Sequence, residues 1–393
     1  MTSPAAGFSA SLEAELAALA AADRLRSCPE AEGASRVHLR VSSRPRVSFC
    51  SNDYLGLASH TDILSAAAEA ASRDGFGASA SRLVSGDLPA HRHLEANLAA
   101  FLGRPAALVF PTGYQANVGV LTTLAGPDDL IVSDALNHAS LIDGCRLSRA
   151  QIAVYPHADA AAAARLLAGA GRFRRRLLVT ESLFSMDGDL APIADLAQAA
   201  ATHDAILMVD EAHAFGVLGP GGRGVCAAAG VVPEVLIATL GKALGSAGGF
   251  AAGDRALRDI LVNRARTFIY STALPPPVAA AADAALALVA GAEGERRRLL
   301  LDSHCAWLRE QIARLGLDVQ ARASGGAILP ILVGSNARAL AASAALAARG
   351  IFVPAIRPPT VPVGSARLRV TLSASHDRAD LTALVDALAE AVG

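Results

Sequence analysis

The chain carries Ile206-Leu-Met-Val-Asp210-Glu-Ala-His213 and, shortly after it, Val235-Leu-Ile-Ala-Thr239-Leu-Gly-Lys242. Each segment begins as a short apolar run, which is typical of a strand buried on both faces of a parallel sheet. Each ends in polar residues. Because the carboxyl ends of parallel strands meet at one edge of a sheet, where ligands bind, we expect the acid, the histidine and the lysine to lie close together.

Further apolar runs alternate with Ala- and Leu-rich helical patterns through the middle of the chain. This alternation predicts an α/β fold, with a mostly parallel sheet covered by helices. The first 25 or so residues predict an amphipathic helix, in which Leu12, Leu16 and Leu19 recur at near-helical spacing. The other runs are Ala107–Phe110, Leu130–Ser133, Ile152–Tyr155 and Leu177–Thr180.

Pro275-Pro-Pro277 ends the alternation, and a long helical pattern to about Leu315 and a smaller α+β region follow it. We therefore divide the chain into three parts. These are residues 1–48 as an N-terminal helix and segment, 49–280 as a large α/β domain and 281–393 as a small C-terminal α+β domain.

Composition excludes several classes of function. The 35 basic and 36 acidic residues leave a formal charge of −1, which gives no whole-protein attraction to nucleic acid or to an anionic membrane. The apolar stretch at 278–292 is interrupted by Asp283 and is too short to span a bilayer. The 5 cysteines occur singly, without a CxxC pair. This fits reduced thiols in the cytoplasm and argues against a metal site.

Lys242 is the single lysine among the 35 basic residues. Arginine can replace lysine on a surface, but it cannot readily form an imine, because it stays protonated. A lysine beside Asp210 and His213 suits pyridoxal 5'-phosphate (PLP): the lysine forms the Schiff base, and the acid keeps the ring nitrogen protonated. An aspartate at a strand end is also a common helix cap, so Asp210 alone is weak evidence for PLP. The two motifs together are moderately specific for this cofactor.

A phosphate site is expected at Pro111-Thr-Gly-Tyr114, which follows an apolar run and precedes a helix predicted from about Gln115. Backbone N–H groups at a helix N-terminus bind phosphate. Rival nucleotide motifs fail. The glycines of Gly75-Phe-Gly77 follow a helical pattern rather than a strand, and Gly241-Lys242 lacks the upstream glycine and the Ser/Thr of a P-loop.

The sequence resembles the α-oxoamine synthases, which are PLP enzymes of fold type I, over nearly its whole length. Within that family it most resembles the members that act on pimeloyl thioesters, mainly through its last matching segment and Arg367-Leu-Arg369. The matching segments are Ser51–Leu57, Ser81–Gly86, Phe110–Tyr114, Asn137–Ser140, Thr180–Asp189, Asp210–His213, Thr239–Lys242, Ile269–Thr272 and Ile356–Pro362.

The resemblance implies catalytic roles for three residues. Lys242 would form the Schiff base and move the α-proton, Asp210 would pair with the pyridine nitrogen, and His138 would stack on the ring. Cofactor contacts are implied for a set that includes these three: Lys242, Asp210, His138, His213, Ser185, Thr239, Gly113 and Tyr114.

Arg369 is implied as the bidentate partner of the amino-acid carboxylate. Residues implied on the acyl-substrate side are Arg26, Asn52, Tyr54 and Thr360, with His138 donating to the thioester oxygen. The family's members are homodimers with active sites at the interface, so Ser271 or Thr272 is expected near the partner's phosphate.

The implied reaction is the decarboxylative condensation of L-alanine with a pimeloyl thioester, carried by coenzyme A or acyl carrier protein, in biotin biosynthesis. One alternative is a sibling synthase that uses glycine or serine or another acyl-CoA, of the 5-aminolevulinate synthase or 2-amino-3-oxobutyrate CoA ligase type. A more distant one is an aminotransferase or aldolase of the same fold. A non-enzymatic dimer is disfavoured because Lys242, Asp210 and His213 are all present.

Overall fold

The computed structural model describes residues 4–169, 171–317 and 326–392. Its strands are β1 (Ala31–Glu32), β2 (His38–Val41), β3 (Arg44–Ser48), β4 (Ala106–Phe110), β5 (Leu130–Asp134), β6 (Gln151–Tyr155), β7 (Arg176–Glu181), β8 (Ile206–Asp210), β9 (Val235–Thr239), β10 (Gly249–Gly253), β11 (Ile328–Gly334), β12 (Ile351–Phe352), β13 (Ala355–Ile356) and β14 (Ala366–Thr371). Its helices are α1 (Pro4–Ala21), α2 (Thr61–Asp74), α3 (Pro89–Leu102), α4 (Gly113–Leu124), α5 (Ala139–Ser148), α6 (Ala160–Ala168), α7 (Ile193–Thr202), α8 (Val225–Ala228), α9 (Arg255–Arg264), α10 (Arg266–Ile269), α11 (Pro276–Ala290), α12 (Ala292–Arg314), α13 (Asn336–Ala348) and α14 (Arg378–Val392).

A central sheet organises the middle of the chain. Among the described residues it has seven strands, in the order β4-β10-β9-β8-β7-β5-β6. The five strands from β9 to β6 run parallel, and β10 lies antiparallel between β4 and β9. Apolar clusters pack against both faces, which explains the fully apolar central strands. The mostly parallel α/β sheet and its six predicted runs, now β4 to β9, are confirmed.

Three acidic residues end neighbouring strands at the carboxyl edge of this sheet. β5 ends at Asp134, β7 at Glu181 and β8 at Asp210, and all three are buried. Glu181 and Asp210 are direct partners in the register of β7 with β8. A low-polarity edge with several carboxyl groups favours a cation held beside them.

The loop between β9 and β10 carries Lys242 and is tightly closed. Leu240 N donates to Gly248 O (3.0 Å), and Gly245 N donates to Lys242 O (2.9 Å). Gly245 has a φ of +63°, and a Cβ there would lie 2.4 Å from the backbone N of Ala58. Glycine is required at this position, so the lysine loop can pack directly against the segment that contains Asn52.

Two smaller sheets are formed by the two ends of the chain. β11, β14 and β13 form an antiparallel sheet in the C-terminal part, which confirms a smaller α+β region there. β1, β2 and β3 form a second sheet, in which β12 pairs parallel with β3. The N-terminal segment is therefore completed by a strand from the C-terminal part.

The long helical pattern that the sequence predicted up to about Leu315 forms two helices, α11 and α12. No single helix in the described ranges is long and apolar enough to cross a membrane; α11 and α12 together reach that length and composition, with a 72° bend between them. The division into residues 1–48, 49–280 and 281–393 stays a prediction, which we propose from the positions of the sheets. Residues 1–3, 318–325 and 393 of its first and last parts lie outside the described residues.

The predicted N-terminal helix is α1. Its leucines Leu12, Leu16 and Leu19 are exposed on the single chain, as is Phe8. An exposed row of apolar side chains is typical of an interface rather than of a free surface.

His376 ties the two ends of the chain together. Its Nδ1 accepts from Ser373 N (2.9 Å) and its Nε2 donates to Ser48 O (2.9 Å). The ring stacks on Phe49 with centroids 4.3 Å apart. Burial lowers the pKa of His376 to about 4. The neutral ring is therefore part of the folded state.

We predict that the free energy of unfolding falls as the pH is lowered from about 6.5 to about 4, because the unfolded chain takes up a proton at His376 that the folded chain refuses. Its contribution over this window is about 3 kcal/mol. In urea unfolding, His376→Gln should flatten this pH dependence, whereas a His93→Gln variant of an exposed histidine should keep it. Parallel pH slopes in both variants would contradict the prediction.

Candidate active site

A hydrogen-bonded chain of side chains runs from Lys242 to Arg369. Lys242 Nζ lies 2.9 Å from His213 Nε2, and His213 Nδ1 lies 2.7 Å from the Tyr54 hydroxyl. That hydroxyl donates to Asn52 Oδ1 (3.0 Å), which also accepts from Arg369 Nη1 (3.3 Å). The structure thus brings together five residues from four separate parts of the sequence.

The direction of this chain follows from its electrostatics. Burial lowers the pKa of Lys242, with Asp210 and Glu181 opposing that effect. Burial and the cation of Lys242 lower the pKa of His213 well below its usual value. His213 is therefore neutral. When Lys242 is protonated, His213 Nε2 accepts from it, so Nδ1–H donates to Tyr54.

A second row of hydrogen-bonded side chains links Asp210 to His138 through Asn117 and Ser140, neither of which was predicted as a site residue. Asn117 Nδ2 donates to Asp210 Oδ2 (2.7 Å) and to Ser140 Oγ (2.9 Å). Ser140 Oγ lies 2.7 Å from His138 Nδ1. Ala212 N donates to the other Asp210 oxygen (2.9 Å). The carboxylate is thus fixed from both sides, and an N–H donor favours the ionised form of such a group.

His138 caps the N-terminus of α5, where its Nδ1 accepts from Ser140 N (3.2 Å). Because Nδ1 is occupied as an acceptor, the ring proton of the neutral form lies on Nε2. Burial lowers the pKa of His138, and Lys242 contributes to this while Asp210 opposes it. Nε2–H is therefore free to donate to a ligand.

Glu181 is a third feature that sequence reasoning missed. Its carboxyl group is buried against the backbone N–H groups of His138 and Ser185. Its Oε1 has no hydrogen-bond partner within the described residues. Burial and the neighbouring Asp210 raise the pKa of Glu181, while Lys242 opposes that shift. Its sequence signals were its place at the end of an apolar run and its position in the matching segment Thr180–Asp189.

Arg369 is buried at the far end of the row of side chains that starts at Lys242, and one of its guanidinium nitrogens has no partner within the described residues. Its Nε donates to Ser185 O (2.5 Å) and its Nη1 to Asn52 Oδ1. Its Nη2 is buried and has no partner among residues that the structure describes. An unpaired buried guanidinium nitrogen is costly, and a ligand carboxylate would satisfy it.

The predicted phosphate turn lies at the N-terminus of α4. The helix begins at Gly113, two residues before the predicted Gln115, because Thr112 is the cap and its Oγ1 accepts from Gln115 N (3.1 Å). A Cβ on Gly249 would lie 2.4 Å from Gly113 Cα, so β10 packs directly on the first turn. A Cβ on Gly113 would lie 3.5 Å from the Cβ of Thr239, so the turn borders the strand end before Lys242. Tyr114 is half-exposed.

Arg26 and Thr360 form a separate pair. Arg26 Nη2 donates to Thr360 Oγ1 (3.0 Å), and both residues are exposed. Arg357 donates to the carbonyls of Asp23 and Leu25, so the segment Ile356–Pro362 is tied to the residues just after α1. No hydrogen bond within the described residues joins this pair to the Lys242 cluster.

The residues present fit PLP. An amine, a carboxylate held by two N–H donors and a helix N-terminus follow the carboxyl ends of β9, β8 and β4 in one sheet. Lys242 would hold the aldehyde carbon, Asp210 the ring nitrogen and the first turn of α4 the phosphate.

Comparisons with known proteins agree with this geometry. A family model described as aminotransferase class I and II matches residues 44–388. The 8-amino-7-oxononanoate synthase of Anaeromyxobacter dehalogenans is 53% identical over 378 residues, which cover 96% of this chain and 94% of the relative. That of Bordetella petrii is 52% identical over 384 residues, which cover 96% of both chains. The chain belongs to the 8-amino-7-oxononanoate synthase family. It is therefore a PLP-dependent enzyme of fold type I.

Solved structures support this membership. The serine palmitoyltransferase of Sphingomonas wittichii superposes with a TM-score of 0.92 at 29% identity, covering 99% of this chain and 98% of that one. The 8-amino-7-oxononanoate synthase of Francisella tularensis superposes with a TM-score of 0.76 at 27% identity, covering 88% and 97%. The expected fold type and cofactor class are thereby confirmed, whereas the roles of single residues stay predictions.

We predict that Lys242→Ala abolishes the visible absorbance of covalently bound PLP, because the chain has no second lysine to replace its amine. Borohydride reduction followed by peptide mass spectrometry should place the cofactor on residue 242 in the unaltered protein and nowhere in the variant. Cofactor trapped elsewhere, or colour retained in the variant, would contradict the assignment. Arg309→Ala is a control, because it removes a cation from α12 and leaves the loop that carries Lys242 unchanged.

Proposed function

We propose that this protein condenses L-alanine with a pimeloyl thioester, giving 8-amino-7-oxononanoate, CO₂ and the free thiol. The observation that carries this proposal is a buried amine at Lys242 connected to a guanidinium with an unpaired donor at Arg369, in a chain 53% identical to 8-amino-7-oxononanoate synthases. The amine suits proton transfer at an α-carbon, and the guanidinium suits an α-carboxylate.

Lys242 and Arg369, the two ends of the hydrogen-bonded row that passes through His213, deprotonate and hold the amino acid. PLP, when bound, draws off the electron pair that is left on the α-carbon when a proton or CO₂ departs. Arg369 Nη2 binds the carboxylate, which fixes the α-carbon relative to Lys242. Burial lowers the pKa of Lys242, so its neutral amine is available to remove the α-proton. Asp210, oriented by Asn117, keeps the ring nitrogen protonated.

The acyl group is oriented by residues on the other side of the cluster. His138 Nε2–H donates to the thioester oxygen, where negative charge develops as the new carbon–carbon bond forms and the thiol leaves. Asn52 and Tyr54 line the inner part of this side, and Arg26 and Thr360 line its exposed mouth.

A sibling synthase is the second candidate, and one observation favours it. Serine palmitoyltransferases superpose more completely on this chain than the Francisella tularensis relative does, with TM-scores of 0.92 and 0.76. Sequence identity favours the first candidate, since it is 53% to 8-amino-7-oxononanoate synthases and 29% to the palmitoyltransferase. We therefore propose alanine and pimeloyl as the substrates, carried by coenzyme A or by acyl carrier protein.

We also propose that the protein is a homodimer of the cytoplasm. Large apolar side chains exposed on the single chain support a dimer, because such patches are usually covered. They include Phe76, Val84, Tyr270 and the leucines of α1. The five cysteines are free, which suits a reducing compartment.

Product identification tests the reaction. With purified protein, PLP, alanine and pimeloyl-CoA, mass spectrometry should detect 8-amino-7-oxononanoate together with stoichiometric free thiol. Glycine or serine in place of alanine, and acetyl- or succinyl-CoA in place of the pimeloyl donor, should give far less thiol. Faster release with serine and a long-chain acyl donor would favour the sibling synthase. A requirement for a 2-oxo acid without thiol release would indicate an aminotransferase.

Thr360→Ala and Arg357→Ala should raise the KM for the pimeloyl thioester, because they remove the ties between segment Ile356–Pro362 and the residues after α1. Alanine binding should not change, because neither substitution alters Arg369, the residue that we propose binds the alanine carboxylate. Thr382→Ala, on an exposed face of α14, is the matched control. Unchanged thioester kinetics in both variants would remove this segment from the acyl site.

A further inference from the structure

His157 lies between two carboxylates outside the cluster described above. It follows β6, and its Nδ1 lies 2.9 Å from Asp134 Oδ1 while its Nε2 lies 2.8 Å from Asp189 Oδ2. A carboxylate can only accept, so both ring nitrogens donate and the ring is an imidazolium. Its side chain is 24% exposed and packs edge-on against Phe184, with centroids 4.3 Å apart.

Two carboxylates, one at each ring nitrogen, favour the charged form of His157. Asp134 and Asp189 together raise the pKa of His157 to about 10, against the effect of burial. Asp134 is fully buried and accepts further hydrogen bonds from Leu136 N (2.8 Å) and Ala158 N (2.9 Å). The Tyr155 phenol also lies beside Asp134. Asp134 is thus fixed to the sheet, and His157 is held to it.

Asp189 belongs to a folded loop, residues 182–190, that follows β7. Phe184 N donates to Asp189 O (3.0 Å), and Gly188 N donates to Phe184 O (2.9 Å). Gly188 has a φ of +68°, and a Cβ there would lie 2.5 Å from Ile328 O, so the loop packs directly on β11. His157 clamps the other side of the same loop to β5.

This loop supplies acceptors to both arginines of β14. Ser185 O accepts from Arg369 Nε, and Met186 O accepts from Arg367 Nη1 (3.1 Å). Asp187 Oδ1 pairs with Arg367 (2.6 Å). The position of the loop therefore sets the direction in which the remaining Arg369 nitrogen points.

We propose that His157 is a positioning residue for substrate binding: by donating to Asp134 and Asp189 at once, it fixes loop 182–190 and so aims Arg369 at the amino-acid carboxylate. This inference rests on the proposed function, because it takes Arg369 to bind that carboxylate. The hydrogen-bond partners of the His157 ring are Asp134 and Asp189, neither of which belongs to the Lys242 cluster.

His157→Gln tests the proposal, because a glutamine amide carries one donor nitrogen and cannot donate to two carboxylates on opposite sides. We expect calorimetry on the PLP-loaded enzyme to show alanine binding weakened about tenfold, the equivalent of about 1.4 kcal/mol. At saturating alanine, kcat should change by less than about threefold, since the reacting groups are untouched. His203→Gln, which alters a half-buried histidine at the end of α7, should bind alanine normally.

Asp189→Asn provides a second variant that keeps the hydrogen bond and removes one charge. The pKa of His157 should then fall from about 10 towards its usual value of about 6.5. The variant should bind alanine nearly normally at pH 6.5 and progressively worse up to pH about 9. The ratio of its Kd to that of the unaltered enzyme isolates this effect, because other titrations are common to both.

The two proposals fail in different ways. Arg369→Lys should weaken alanine binding; if it does not, the assignment of Arg369 fails, and this inference fails with it. If Arg369→Lys weakens binding, a normal alanine Kd in His157→Gln overturns the role of His157 alone. A Kd ratio for Asp189→Asn that does not vary with pH would also overturn it.

Discussion

The structure depends on keeping one amine buried beside acidic groups without fixing its charge. Removal of Lys242 from water favours the neutral amine, while Asp210 and Glu181 favour the ammonium form. A lone buried amine would be inert as an acid, and a fully paired one would be inert as a base. The parallel register of β7 with β8, which sets Glu181 beside Asp210, supplies this balance from the backbone geometry.

Two rows of hydrogen-bonded side chains lead away from Lys242 and from Asp210. One leads from Lys242 through His213 and Tyr54 towards Arg369, so the amine and the guanidinium are joined by one hydrogen-bonded path. The other joins Asp210 to His138 through buried polar side chains. Each path turns on an amide that ties two side chains together: Asn52 Oδ1 accepts from Tyr54 and from Arg369, and Asn117 Nδ2 donates to Asp210 and to Ser140.

The sequence predicted the sheet well because its strands are buried on both faces and read as unbroken apolar runs. It missed β10, because Gly249–Gly253 contains only glycine, alanine and phenylalanine. This strand packs closely on α4 because Gly249 has no side chain to keep the two backbones apart. Predicted site residues at strand ends lie together, whereas Arg26 and Thr360 form a separate exposed pair. Asn117 and His157 had no local signal, since their partners are distant in sequence and only the fold brings them together.

The union of the two chain ends has a consequence for biosynthesis. Asn52 and Arg369 are 317 positions apart, and β3 is completed by β12 from the late part of the chain. While the ribosome is still translating the central sheet, the early segment has neither its strand partner nor the guanidinium that completes the pocket. Such long-range pairing slows folding and exposes unpaired edges to aggregation. A nascent chain released before residue 369 should need chaperone protection.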